Sequence, residues 1–216
     1  MNARWLLPAT WVCSALVGCS IGRPIPEATQ YVVEPPLEAR APSEPRSAEA
    51  VRMGNVHVAA SYAGSALVYR LGEVRYASDP YHVFEADPGA MLGSSMAEWL
   101  DKSGPFRTVA QPGSAQPGAA VLEATVTELY GDFRPGRPPA AVMAVQFTLI
   151  DEASACPKVV YEHTIGRRIT LKRPLPDVLV RGYGVALGEI LSQLTREISS
   201  AARSHFGVSP SLCMSR

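Results

Sequence analysis

From Ala141 to Asp151 the chain alternates with period two, placing Ala141, Met143, Val145, Phe147 and Leu149 on one side of an extended backbone. No other stretch alternates so strongly, and a strand with one fully apolar face needs neighbours in a sheet and a layer to cover it. The flanking sequence supplies the neighbours. In Val121 to Tyr130, Leu122, Ala124 and Val126 share one face while Glu123, Thr125 and Thr127 share the other, and Lys158 to Leu171 continues the pattern through Val159, Tyr161 and Ile165. A Pro-rich turn at Arg134 to Pro139 and a turn holding Cys156 separate the three, so an antiparallel meander is the simplest pairing.

Two amphipathic stretches supply the cover. Asp87-Pro88 opens a helix, with Asp87 as N-cap and Pro88 at the first helical position, where its missing N–H costs nothing. Met91, Leu92, Met96, Trp99 and Leu100 then recur at three- and four-residue spacing until Gly104-Pro105. After Pro174 to Asp177, a longer helix puts Val180, Tyr183, Leu187, Ile190, Leu191, Leu194 and Ile198 on one face, with Glu189, Gln193, Arg196 and Arg203 elsewhere. Burying its six aliphatic side chains contributes about 10 kcal/mol before conformational entropy is counted. The glycines from Gly182 to Gly188 miss the dinucleotide-binding spacing and follow no strand, so they are read as small residues for close packing.

The first half of the chain adds shorter strands. Gln30 to Glu34 is a β-rich run stopped by Pro35-Pro36, and residues 37–50 form a mobile, proline-containing loop. Val51 to Ala59 is a central strand whose alternation breaks around Gly54, and Phe106 to Ala110 is a short strand before a Gly- and Pro-bearing loop. Leu67 to Leu71 and Glu73 to Tyr76 are strand-like, with a tight turn at Leu71-Gly72-Glu73. Aromatics concentrate here. Tyr62, Tyr69, Tyr76 and Tyr81, with Arg70, form the candidate partner-contact surface, although tyrosine equally suits a half-buried sheet face. The expected fold is α/β (α+β): a mixed, largely antiparallel sheet with two main helices packed on it, in a single domain.

Lys plus Arg and Asp plus Glu both number 20, so the chain lacks the basic excess of a nucleic-acid binder. No nucleophile elbow, phosphate loop or clustered metal ligands occur, and the carboxylates are scattered. The sequence therefore predicts no enzyme, no catalytic residue, no metal and no cofactor. Cys156 and Cys213 could pair as a disulfide in an oxidising compartment, or remain two free thiols.

At the N-terminus, Arg4 precedes an apolar run from Trp5 to Val17 broken by Pro8, Thr10 and Ser14. That run is about a dozen residues, short of the roughly 20 needed to span a bilayer, and suits a cleaved signal. It ends in Leu16-Val17-Gly18-Cys19, which resembles the processing box of bacterial lipoproteins. Cleavage before Cys19 would free a thiol and an amine for acylation, and several acyl chains anchor far more firmly than one. The expected organisation is a lipoprotein signal peptide at 1–18, a lipidated tether at 19–28, a folded domain at 29–207 and a C-terminal tail at 208–216. Ser20 stands where Asp would signal inner-membrane retention, so the outer membrane, facing the periplasm, is the expected location.

Several short runs carry a wider resemblance. The lipobox is followed by Tyr31-Val32-Val33-Glu34-Pro35, Leu67-Val68-Tyr69-Arg70, Tyr76 and Asp79-Pro80-Tyr81-His82. Later come Leu100-Asp101-Lys102-Ser103-Gly104-Pro105-Phe106 and Glu128-Leu129-Tyr130-Gly131-Asp132-Phe133. Together they resemble the ABC-type transport auxiliary lipoprotein family over nearly the whole mature chain. Where many members carry a Trp shortly after the Tyr-His pair, this chain has Val83 and Phe84. The resemblance implies a mixed sheet carrying helices, and a non-catalytic accessory subunit for a system that moves phospholipid or other hydrophobic molecules between membranes. It implies an MCE-domain periplasmic protein and an ABC permease as partners, and it allows a homo-oligomer. The alternative is a structural lipoprotein of the envelope or of secretion machinery, with no lipid cargo.

Overall fold

Alternating strands and striped helices meet in one mixed sheet with a helical layer, seen in a computed structural model that describes residues 27–37, 50–116, 118–153 and 156–205. The leader, Cys19, nearly all of the tether and of the 37–50 loop, Cys213 and the 208–216 tail lie outside the described residues. The strands are β1 (Thr29–Tyr31), β2 (Ala50–Val58), β3 (Ala66–Arg70), β4 (Tyr76–Phe84), β5 (Thr108–Ala110), β6 (Ala120–Asp132), β7 (Ala140–Asp151) and β8 (Lys158–Thr170). The helices are α1 (Pro88–Ser103) and α2 (Pro176–His205).

The long antiparallel meander β6-β7-β8 is the frame. β7 pairs along its whole length with β6 on one edge and β8 on the other, from Ala140 opposite Asp132 and Thr170 to Asp151 opposite Ala120 and Lys158. The second edge of β6 is divided. Its first half takes β2 in parallel, which in turn takes β5, and its last two residues take β3, followed by antiparallel β4 and parallel β1. The break around Gly54 is a register shift in β2 between Met53 and Val56, where a Cβ on Gly54 would press on Glu123 and the Leu122 carbonyl.

One face of this sheet is closed by both helices. Met53, Leu67, Leu122, Val126, Met143, Val145, Phe147, Leu149 and Ile165 point into a core with Leu92, Met96 and Leu100 of α1 and Leu187, Ile190, Leu191 and Leu194 of α2. Asp87 caps α1 through Oδ1, which accepts from the Ala90 N–H at 2.9 Å, and the Gly104 N–H returns to the Leu100 carbonyl. All seven residues of the expected α2 stripe are buried.

The glycines of α2 have a geometric reason. Gly182 faces the sheet, where a Cβ would sit 2.8 Å from Ala141 Cβ. Gly184 and Gly188, one turn apart, face residues 32–37, which run as an extended strap between the helices. A side chain at Gly184 would strike the Glu34 carbonyl, and one at Gly188 would meet Pro36 at 3.2 Å. The strap is tied from the other side by Trp99 Nε1 donating to the Pro36 carbonyl at 2.9 Å and Ser95 Oγ donating to the Val33 carbonyl at 3.0 Å. The expected strand from Gln30 to Glu34 therefore stops at Tyr31. Its later carbonyls serve α1, and Pro35 and Pro36 have no N–H to give a ladder.

The expected strand from Glu73 to Tyr76 is corrected too. Residues 71–75 are the β3–β4 hairpin loop, with the Leu71 and Gly72 N–H groups both donating to the Arg75 carbonyl. The strand starts at Tyr76 and continues through Pro80, because its ladder with β3 is irregular there. β3 pairs with residues 76–79 and again with Val83, and β1 pairs with residues 82–84 on the other edge, so Pro80 falls in the register shift, where its lack of an N–H matters least. Phe106 to Ala110 shortens to Thr108–Ala110, with Phe106 buried in the core instead.

Candidate functional site

Alternation along β3 separates the residues grouped in the sequence reading. Tyr69 points to the helix-covered face. There it stacks on Phe133 at 5.1 Å, and its hydroxyl donates to Asp79 Oδ2 at 2.8 Å. Asp79 also lies 2.7 Å from His82 Nδ1 and accepts the Tyr81 N–H at 2.9 Å. Burial raises the Asp79 carboxyl, and these hydrogen bonds outweigh it, so its pKa is lowered. Tyr31 sits beside His82 and donates to Asp177 in the first turn of α2 at 2.7 Å, which joins the β1 edge of the sheet to the helix. This cluster is bracing. Tyr81 is exposed on β4.

Arg70 and Tyr76 are cross-strand partners on the opposite, open face, joined there by Tyr62. The Arg70 guanidinium lies 5.7 Å over the Tyr76 ring. Tyr76 meets Tyr130 edge-on at 5.6 Å, and Tyr62 stacks on Tyr130 at 5.9 Å. Beneath them Val68, Tyr130 and Val142 make a small apolar cluster separate from the main core. Burial, with Tyr76, Tyr130 and Glu128 nearby, pushes the Tyr62 hydroxyl up to about 12.

Sequence reasoning missed the charged half of this face. Asp132 is two residues beyond Tyr130 and therefore on the same side, only 1% exposed. Both its oxygens are held by arginines. Arg134 donates through Nε to Oδ1 at 2.9 Å and through Nη2 to Oδ2 at 2.7 Å, and Arg168 donates through Nη1 to Oδ2 at 2.7 Å. The Arg134 hydrogen bonds, aided by Arg168, hold the Asp132 carboxyl well below the usual carboxylate range against the opposing effect of burial. Arg134 reaches on to Glu73 Oε1 at 2.9 Å, Arg70 approaches Glu73 Oε2 at 3.4 Å, and Arg137 lies 4.0 Å from Oε1. The available signal was a charged residue continuing the face of Tyr130. Arg134 stands only two residues on, whereas Arg168 and the Arg70–Glu73 hairpin come from two other chain segments, which spacing alone does not join.

The adjacent Arg167 and Arg168 are divided between the faces as well. Arg168 turns to the open face, while Arg167 turns to α2, donating to Glu189 at 3.1 Å and Gln193 at 2.5 Å. Beyond it Glu197 accepts from the Tyr161 hydroxyl at 2.6 Å and lies 2.7 Å from His163 Nδ1. Burial raises the Glu197 carboxyl, and the hydrogen bonds from Tyr161, Gln193 and His163 outweigh it, bringing it to about 2. Cys156 is disulfide-bonded. Between the strap and α1 lies an open groove of about 560 Å³ with Met91 and Trp99 at its base, Val32 and Leu37 beside it, and Glu85 and Glu98 at the rim. Among the described residues no group of three His, Cys, Asp or Glu side chains is placed to hold a metal ion, and no helix is long and apolar enough to cross a membrane.

Fold and surface together define a class: a mixed-sheet domain with one face sealed by helices and the other bearing a Tyr-Arg surface. Residues 31–199 match the ABC-type transport auxiliary lipoprotein component family, and the chain belongs to it. It is thus a member of an auxiliary transport lipoprotein family, not of a known enzyme family. The fold is similar to that of protein XCC0632 from Xanthomonas campestris, with a TM-score of 0.71, 15% identity, and coverage of 83% of this chain and all of that one. An uncharacterized protein matches with a TM-score of 0.61 and 17% identity over 80% of this chain and 99% of its own. The dodecameric PelC from Paraburkholderia phytofirmans, at a TM-score of 0.39, 19% identity, and coverage of 73% of this chain and 93% of its own, is too distant to carry its assembly over. Comparison with curated proteins gave no match.

Proposed function

We propose that this chain is the lipid-anchored accessory subunit of an ABC/MCE-type transporter that moves phospholipid or other hydrophobic molecules between membranes. In this reading residues 1–18 are a cleaved signal, Cys19 carries the acyl chains, residues 19–28 are the tether, residues 29–207 are the working domain and residues 208–216 the tail. The anchor lies in the outer membrane and the domain faces the periplasm, where Cys156 pairs with Cys213. An MCE-domain protein and an ABC permease are the partners, and Tyr62, Arg70 and Tyr76 on the open face make the contact. The chain acts by position and catalyses nothing.

The observation that carries this reading is the family match over residues 31–199, which begins within a short tether of Cys19. Ten extended residues span about 30 Å, enough to hold the domain against a bilayer and not enough to let it wander. Labelled palmitate should enter the wild-type protein and not Cys19→Ala. Detergent-solubilised membranes should yield the MCE-domain protein and the permease with the tagged chain. Label persisting in Cys19→Ala, or recovery of the chain alone, would overturn the reading.

A further inference from the structure

The open face concentrates the guanidinium groups of Arg70, Arg134, Arg137 and Arg168 around the carboxylates of Asp132 and Glu73. Those two carboxylates differ in kind. Asp132 is buried and fully engaged, so it fixes Arg134 and Arg168 in place before anything binds. Glu73 is 73% exposed on the β3–β4 loop, yet Arg70, Arg134 and Arg137 all converge on it. An exposed ion pair of this kind contributes little to stability and is readily exchanged for another of the same chemistry.

We infer that Glu73 is an internal stand-in, and that the open face binds an acidic segment of a partner protein whose carboxylate takes the place of Glu73 among Arg70, Arg134 and Arg137. The surroundings fit a protein segment better than a lipid surface. Arginine and tyrosine side by side are the composition of protein-contact hot spots. Tyr76 is 43% exposed and Val74, at the loop tip, is 94% exposed, so an apolar side chain next to the incoming carboxylate has somewhere to pack. Arg134, already held by Asp132, loses little freedom on binding and keeps Nη1 directed at the position the Glu73 carboxylate now fills.

The inference rests on the open face being the partner-contact surface, and it can fail separately. Full-length protein in detergent micelles is titrated with a fluorescent Glu-Tyr copolymer, a Lys-Tyr copolymer, and vesicles of phosphatidylglycerol in phosphatidylcholine. The Glu-Tyr copolymer should bind, with affinity falling as salt is raised, and the other two should not. Arg137→Glu should weaken binding about tenfold, while Lys158→Glu at the far end of β8 should leave it unchanged. Glu73→Gln should tighten it several-fold, because the competing carboxylate is gone. Unchanged or weaker binding in Glu73→Gln, or vesicle binding that responds to Arg137→Glu in place of copolymer binding, would overturn the inference. If Tyr76→Ala and Arg137→Glu leave the membrane pull-down of partners intact, the contact-surface reading itself falls.

Discussion

The two faces of the sheet are built from the same strands and follow different rules. On the helix-covered face the core side chains are apolar and cohere through contact area, which needs shape and little direction, with polar pairs such as Tyr69–Asp79 and Arg167–Glu189 beside them. On the open face a three-tyrosine cluster and a web of arginines around Asp132 cohere through directed hydrogen bonds and stacking, with solvent on one side. The lesson is that apolar packing and directed polar contact are divided between faces. Alternation makes this possible, because neighbouring residues such as Tyr69 and Arg70, or Arg167 and Arg168, can belong to different faces at no cost to the strand.

The widest contrast should come from truncating one large side chain on each face. Leu187→Ala, at a fully buried α2 position, should lose about 2–5 kcal/mol in chemical denaturation, whereas Tyr76→Ala should stay within about 1 kcal/mol. Equal losses would erase the distinction. Asp132→Ala sharpens it, because among the described residues Asp132 is the one buried charge. Removing it leaves Arg134 without its main partner and should cost about 3 kcal/mol, the low end for breaking a buried pair, since Arg168 retains water. A smaller step tests the strap. Gly184→Ala should destabilise by about 1–3 kcal/mol and shift Trp99 fluorescence, as the new methyl pushes residues 32–37 away from α2.

The smallest effect is a pH dependence at the α2 edge. Glu197 has a folded pKa of about 2, below its unfolded value of roughly 4, so its contribution is full above about pH 4 and fades as pH falls toward 2. The stability gap between wild type and Glu197→Gln should be about 1 kcal/mol or less at neutral pH and close to zero near pH 2, by urea unfolding across that range. A gap that widens on acidification would show that Glu197 is held by something other than its charge.

Much of the helix-covered layer could be read directly. Asp87-Pro88 marked the start of α1 and Gly104-Pro105 its end, and the α2 stripe was named residue by residue, because periodicity and capping are local properties that depend on which residues stand three or four apart. The candidate surface was legible in part. Tyr62, Arg70 and Tyr76 do come together, but Tyr69 belongs to the other face, and Tyr130, Asp132, Arg134 and Arg168 were not anticipated.

What the sequence determined by itself was the repertoire: three long alternating strands, two striped helices, the caps of α1 and the family signature. What only the tertiary structure decided was the partnership. β6 divides one edge between β2 and β3, the strap threads between glycines of α2 and the indole of Trp99, and Arg168 crosses the sheet to a carboxylate thirty-six positions earlier. The physical reason is range. A helix period or a cap is settled within a few residues, whereas a buried charge must be matched by whatever the folded chain brings within hydrogen-bond distance, and that is a property of the whole sheet.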